Sequence, residues 1–211
     1  MNYKLVIFDF DGTLADSFPF FLRSINTLAA AYNFRPIQPE HVDRMRTMNA
    51  RELMKKAQLP SWKIPLVARA FIHLMANDIE QIQLFDRVPE LLAQLASQGV
   101  QLAIVSSNSE ANIRRILGPQ AATLITHYSC GSSLFGKQRK FRQVIGSSGV
   151  TPDQVLCVGD ELRDLDAAKE AGLAFGAVAW GYTRTDVLAA QPAIYLFHSV
   201  DDIMRTVVPS N

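Results

Sequence analysis

The sequence predicts an α/β fold: a doubly wound parallel sheet with a small all-helical insertion. Three observations carry this. Five apolar runs, at 4–8, 100–105, 154–158, 174–180 and 193–197, are continuous rather than alternating, as in strands covered on both faces. Helical patterns lie between the later runs, so strand and helix alternate as a doubly wound sheet requires. Between the first two runs, about 17–84, no strand pattern occurs.

The first run, KLVIF, ends directly in DFDGTLADS. In the insertion, Phe18, Phe21, Leu22, Ile25, Leu28, Ala29 and Tyr32 fall on one helical face. NFRPIQPE (33–40), with two prolines, reads as a turn, and further helical stretches follow at about 40–57 and 62–83. VPELLAQLASQG (88–99) places Leu91, Leu92 and Leu95 together and stops on Gly99. SEANIRRILG (109–118) opens on a serine cap and is expected to end on Gly118. ITHYSC (125–130) is a weaker strand, and RDLDAAKEAG (163–172) is a helix ending on glycine. The division expected is a core of 1–16 and 85–211 and a helical unit of 17–84.

Composition narrows the function classes. With 211 residues, 48% of them hydrophobic, the chain can bury one good core and a smaller second module. The formal charge is +1 and no basic stripe occurs, which argues against nucleic acid or an anionic membrane as partner. No apolar run approaches about 18 residues, and no basic-then-apolar leader opens the chain. Two cysteines without metal spacing, Cys130 and Cys157, fit a reducing compartment, so a cytoplasmic protein is expected. Nothing in the composition chooses between monomer and homodimer.

In an open α/β sheet, ligands bind beyond the carboxyl ends of the strands. Here those ends carry Asp9-Phe10-Asp11, Ser106-Ser107-Asn108 and Gly159-Asp160-Glu161, with Asp164 following. Each piece alone has an ordinary explanation: a DG turn, a helix-capping serine, acids at a helix start. Together they crowd four carboxylates, which repel unless a cation lies among them. Hard oxygen ligands favour Mg²⁺.

DFDGTLADS resembles the first motif of the haloacid dehalogenase-like hydrolases, IVSSN (104–108) their second, and VGDELRD (158–164) their fourth. The inserted helices resemble the cap of those enzymes, whose core is Rossmann-like. DGTLADS and AWGY (179–182) are similar to the phosphoglycolate phosphatase-like branch. The resemblance implies an Mg²⁺-dependent phosphatase acting on a small phosphorylated metabolite. Asp9 would be the nucleophile, forming an aspartyl phosphate. Asp11 would protonate the leaving oxygen and later deprotonate water. Asp9, the Asp11 carbonyl, Asp160 and Asp164 would hold the metal, and Ser106 would hydrogen-bond a phosphoryl oxygen. The resemblance also requires a lysine ahead of the fourth motif. Lys137 and Lys140 are both placed for it; Lys137, directly after Gly136 at the expected helix start, is selected, and Lys140, a turn deeper on an arginine-rich stretch (Arg139, Arg142) expected to be solvated, is the alternative.

Two other functions are compatible with these motifs: a sugar phosphomutase similar to β-phosphoglucomutase, and a non-catalytic partner-binding protein on the same fold. GSSLFGK (131–137) matches the start of a phosphate-binding loop, but Gln138 stands where a serine or threonine would hold Mg²⁺. The four histidines are scattered, and Cys157 reads as inert core. Arg44, Arg46 and Arg51 could reach an anionic substrate, but at least two of them are expected on solvated helix faces.

Overall fold

A computed structural model describes residues 3–131 and 136–208. Strand β1 (Leu5–Phe8) leads into helices α1 (Phe18–Tyr32), α2 (Val42–Met45), α3 (Ala50–Lys56) and α4 (Ile64–Asn77). Then come α5 (Val88–Ser97), β2 (Gln101–Val105), α6 (Glu110–Leu124), β3 (His127–Ser129) and α7 (Lys137–Ser148). The chain continues through β4 (Val155–Gly159), α8 (Leu162–Ala171), β5 (Ala174–Val178), α9 (Thr185–Ala189), β6 (Tyr195–Phe197) and α10 (Val200–Val207).

The six strands form one sheet in the order β3-β2-β1-β4-β5-β6. Each adjacent pair is parallel, with Ile7 opposite both Ala103 and Cys157. The chain starts at the centre, winds outward through β2 and β3, then returns past β1 to β4. This reversal of direction opens a crevice at the carboxyl ends of β1, β2 and β4. Side-chain alternation divides the core into two layers. Val6, Phe8, Leu102, Ile104, Leu156 and Val158 face one side, packed with Leu92 of α5, Ile113 of α6 and Ile203 of α10. Leu5, Ile7, Ala103, Val105, Val155 and Cys157 face the other, with Phe141 of α7 and Leu165 of α8. Cys157 is buried there, as inert core requires.

The helical insertion has its own small apolar cluster of Leu28, Ala29, Phe34 and Val67. Its stretch at 40–57 is not one helix. A 3₁₀ turn at Pro39–His41 leads into α2, and α3 starts afresh from a capping box between Asn49 and Glu52. The two linkers run side by side: Ala15 bridges Leu84 antiparallel, and the Asp16 amide donates to the Gln83 carbonyl at 2.8 Å. Helix α6 does not end at Gly118. That residue takes φ 75°, and the helix resumes from Pro119 to Leu124, burying Ala121 and Ala122. Proline suits a helix's first position, so a kink replaces the expected stop. Of GSSLFGK, positions 132–135 lie outside the described residues.

Candidate active site

β1 delivers Asp9 to the crevice as the strand ends. The chain then folds over the Phe10 carbonyl, which accepts the amides of Thr13, Leu14 and Ala15 at 3.2, 2.9 and 3.0 Å. Gly12, at φ 79°, makes this turn possible. A Cβ on Gly12 would stand 2.4 Å from Asp160 Oδ2 and 2.6 Å from the Tyr182 ring. The glycine is therefore set by the approach of β4 and the 179–182 loop.

Asp9, Asp160 and Asp164 are all buried, and each places a carboxylate oxygen within 4.8 Å of the other two. Asp160 accepts from Thr13 Oγ1 at 2.8 Å and from the Tyr182 amide at 2.7 Å. Asp164 accepts from the Glu161 amide at 3.2 Å. Lys137 Nζ lies 2.6 Å from Asp164 Oδ1 and 2.9 Å from Asp9 Oδ1. Asn108 donates to Asp11 Oδ2 at 3.1 Å. Among the described residues, Asp9 Oδ2 and Asp11 Oδ1 are buried with no hydrogen-bond partner.

Burial pushes the Asp9 carboxyl above its ordinary range, with Asp164 adding to this and Lys137 opposing it. Burial, reinforced by Asp9, pushes Asp11 up to about 6. Burial and the neighbouring Glu161 and Asp9 push Asp160 well up. For Lys137, burial acts downward, but Asp164 and Asp9 outweigh it and hold the ammonium charged. One ammonium among three carboxylates leaves negative charge uncompensated. The donor set is all hard oxygen and two buried oxygens lack partners, so the site fits a divalent cation such as Mg²⁺.

Ser106 is buried at the end of β2, its Oγ accepting the Asn108 amide at 3.1 Å. Lys140 is not solvated. Its Nζ donates to the carbonyls of Ser106 and Gly131, both at 2.9 Å, and ties β2 to the segment after β3. Arg139 and Arg142, its neighbours, are exposed as expected.

Five further residues belong to the site although no role was assigned to them from sequence: Thr13, Asn108, Tyr182, Glu161 and Arg163. Thr13, Asn108 and Tyr182 stand inside the DGT, SSN and WGY segments, and their partners are distant in the chain. Arg163 Nη2 pairs with Glu161 Oε1 at 2.5 Å beside the acidic cluster. Arg46 is the arginine of the three that does not lie on a solvated face. From the end of α2 it donates to the Tyr182 and Gly181 carbonyls, both at 3.0 Å, so the insertion grips the loop that contacts Asp160.

A family model described as haloacid dehalogenase-like hydrolase matches residues 6–178. The chain belongs to the haloacid dehalogenase-like hydrolases. It is an enzyme of that family, with its Rossmann-like core. A phosphoglycolate phosphatase of Synechococcus elongatus is 33% identical over 205 residues, covering 97% of each chain. An N-acetylmuramic acid 6-phosphate phosphatase of Pseudomonas aeruginosa is 25% identical, covering 88% of this chain and 86% of its own. In fold, a haloacid dehalogenase-like protein of Streptococcus pneumoniae superposes with a TM-score of 0.78 at 19% identity, over 97% of this chain and 98% of its own. Among the described residues, no helix is long and apolar enough to cross a membrane.

Proposed function

We propose that the protein is an Mg²⁺-dependent phosphatase that hydrolyses a small phosphomonoester through a phosphoryl group carried on Asp9. The observation that carries this reading is the placement of Asp9. One oxygen is held by Lys137, and the other is buried without a partner beside Asp11. Its relatives' names, two of them phosphatases of small phosphorylated acids and sugars, support the same reaction class.

A carboxylate oxygen of Asp9 attacks phosphorus in line, and the ester P–O bond breaks. The leaving oxygen takes its proton from Asp11. Water then gives a proton to Asp11 and attacks phosphorus, the bond to Asp9 breaks, and inorganic phosphate leaves. A carboxyl pushed up to about 6 suits a group that must both give and accept a proton. Lys137 stays charged between Asp9 and Asp164 and balances charge on the attacking oxygen and the phosphoryl group. Ser106 hydrogen-bonds a phosphoryl oxygen, with Lys140 fixing the backbone beneath it. Asn108 orients Asp11. Asp9, Asp160, Asp164 and the Asp11 carbonyl would hold Mg²⁺, which offsets the negative charge that gathers there. Residues 17–84 act as a cap that excludes water when docked and turns on the paired linkers to release product.

The test is hydrolysis of p-nitrophenyl phosphate. Activity is expected to vanish with EDTA and return with Mg²⁺, and Asp9→Asn is expected to abolish it without lowering Tm by more than a few degrees. Full activity in EDTA, or an Asp9→Asn variant within tenfold of the parent, would overturn the mechanism.

A further inference from the structure

A cavity of about 660 Å³ opens at Asp11, Asn108 and Arg163 and runs into the inserted helices. Asp11 is the group that faces the leaving oxygen, so this cavity is where the rest of the substrate must go. Its wall within the insertion is formed by apolar side chains such as Ile25, Leu28, Phe34, Met54 and Val67. The lining residues of the insertion with polar side chains are Arg35, Gln38, His41 and Lys56, and all four are exposed. Asp11, Ser107, Asn108, Glu161, Arg163 and Tyr182 make the crevice end of the lining polar, and the buried part of its wall within the insertion is apolar.

At the crevice end, Arg163 keeps a buried Nε without a hydrogen-bond partner and can pair a polar group next to the phosphate. Deeper in, the apolar wall offers no partner to the hydroxyls of a sugar, and an unpaired buried polar group is costly. Size points the same way. At about 30 Å³ for each water-sized group, glycolate would occupy only a minor part of the space, and cavities of roughly 300–1,000 Å³ fit far larger ligands. We propose that the substrate is the phosphomonoester of an elongated, largely apolar alcohol, whose chain lies in this cavity while its phosphate meets Asp9. The inference rests on the phosphatase reading above and departs from the substrates named for the relatives.

The experiment measures kcat/KM with Mg²⁺ for ethyl, butyl and hexyl phosphate, beside phosphoglycolate and p-nitrophenyl phosphate. Burying each added methylene should raise kcat/KM about fourfold, on the order of a hundredfold from ethyl to hexyl phosphate, with phosphoglycolate below hexyl phosphate. Ala68→Phe, which projects a ring into the same cavity, should flatten this dependence. Calorimetric titration of Asp9→Asn with ethyl and hexyl phosphate gives a readout independent of turnover and of how Ala68→Phe folds; hexyl phosphate should bind the tighter. Hydrolysis of p-nitrophenyl phosphate with a flat alkyl series, and equal binding of the two esters, would overturn the inference and leave the phosphatase standing. No hydrolysis of any ester would overturn both.

Discussion

Asp9, Asp160 and Asp164 in the crevice are each held by a hydrogen bond or ion pair to a named partner, whereas the inserted helices share a buried cluster of only four residues. Their surfaces differ as well. The insertion leaves Trp62 68% and Leu66 47% exposed, while the strands beneath the crevice are almost entirely buried. The crevice spends its packing on fixing charges, because phosphoryl transfer depends on position and electrostatics. In the proposed mechanism, the insertion's cavity admits and releases the leaving group, so chemistry would belong to the tight region and selectivity to the loose one. The two meet where Arg46 grips the Gly181–Tyr182 backbone and where α4 rests on α6, with Asn112 Nδ2 donating to the Ile72 carbonyl at 3.0 Å.

After the loss of activity expected of Asp9→Asn, the largest effect expected from a change confined to the tight region is that of Lys137→Met. It removes the ammonium shared by Asp9 and Asp164 and should lower kcat by roughly tenfold to a thousandfold, in the range of a lost transition-state donor. Lys140→Met should have a smaller effect, acting through the Ser106 backbone. A Lys140→Met variant more impaired than Lys137→Met would reverse the two assignments.

Arg46→Ala tests whether the two regions are coupled. With the grip on Tyr182 lost, Asp160 loses support for its Oδ2. The Mg²⁺ concentration for half-maximal activity should rise several-fold, while kcat at saturating Mg²⁺ changes less. Calorimetric titration of Mg²⁺ should give the same ordering. An unchanged Mg²⁺ requirement would mean that the insertion does not influence the crevice.

The smallest expected effect is on stability. Asp11 titrates at about 6 in the folded protein against 3.8 ordinarily, its value raised by burial and Asp9. Its contribution is fully present below the unfolded value and is lost as pH rises through about 6. Metal-free protein should therefore lose a few degrees of Tm between about pH 4.5 and 7. Mg²⁺ should restore them at the upper end, and Asp11→Asn should reduce the slope. Thermal melts across that range check this; a slope unaltered by Asp11→Asn would assign it to other carboxylates.

The comparison also marks what could be read from the sequence. β1, β2 and β4 were legible because strands covered on both faces are uninterrupted apolar runs. β3 was faint because His127, Tyr128 and Ser129 are only half-buried at the sheet's edge. The acids and Ser106 were legible because they stand at strand ends, where topology alone brings them together. Lys140, Asn108 and Arg46 were misjudged or passed over, since their partners lie 34, 97 and 136 residues away. No local period encodes such pairs. The continuation of α6 beyond Gly118 was missed because glycine with positive φ both ends helices and kinks them, and Pro119 decides between the two. The cavity was illegible for a simpler reason: its apolar lining has the same pattern as a packed helical face.

The central claim is that a phosphoryl group passes through Asp9 rather than directly to water. The stereochemical course at phosphorus tests it most directly, using an ester whose phosphoryl group is made chiral with sulfur and oxygen isotopes and is hydrolysed in isotopically labelled water. Two successive in-line displacements, first by Asp9 and then by water, predict net retention of configuration. Net inversion would show a single displacement by water and would contradict the account.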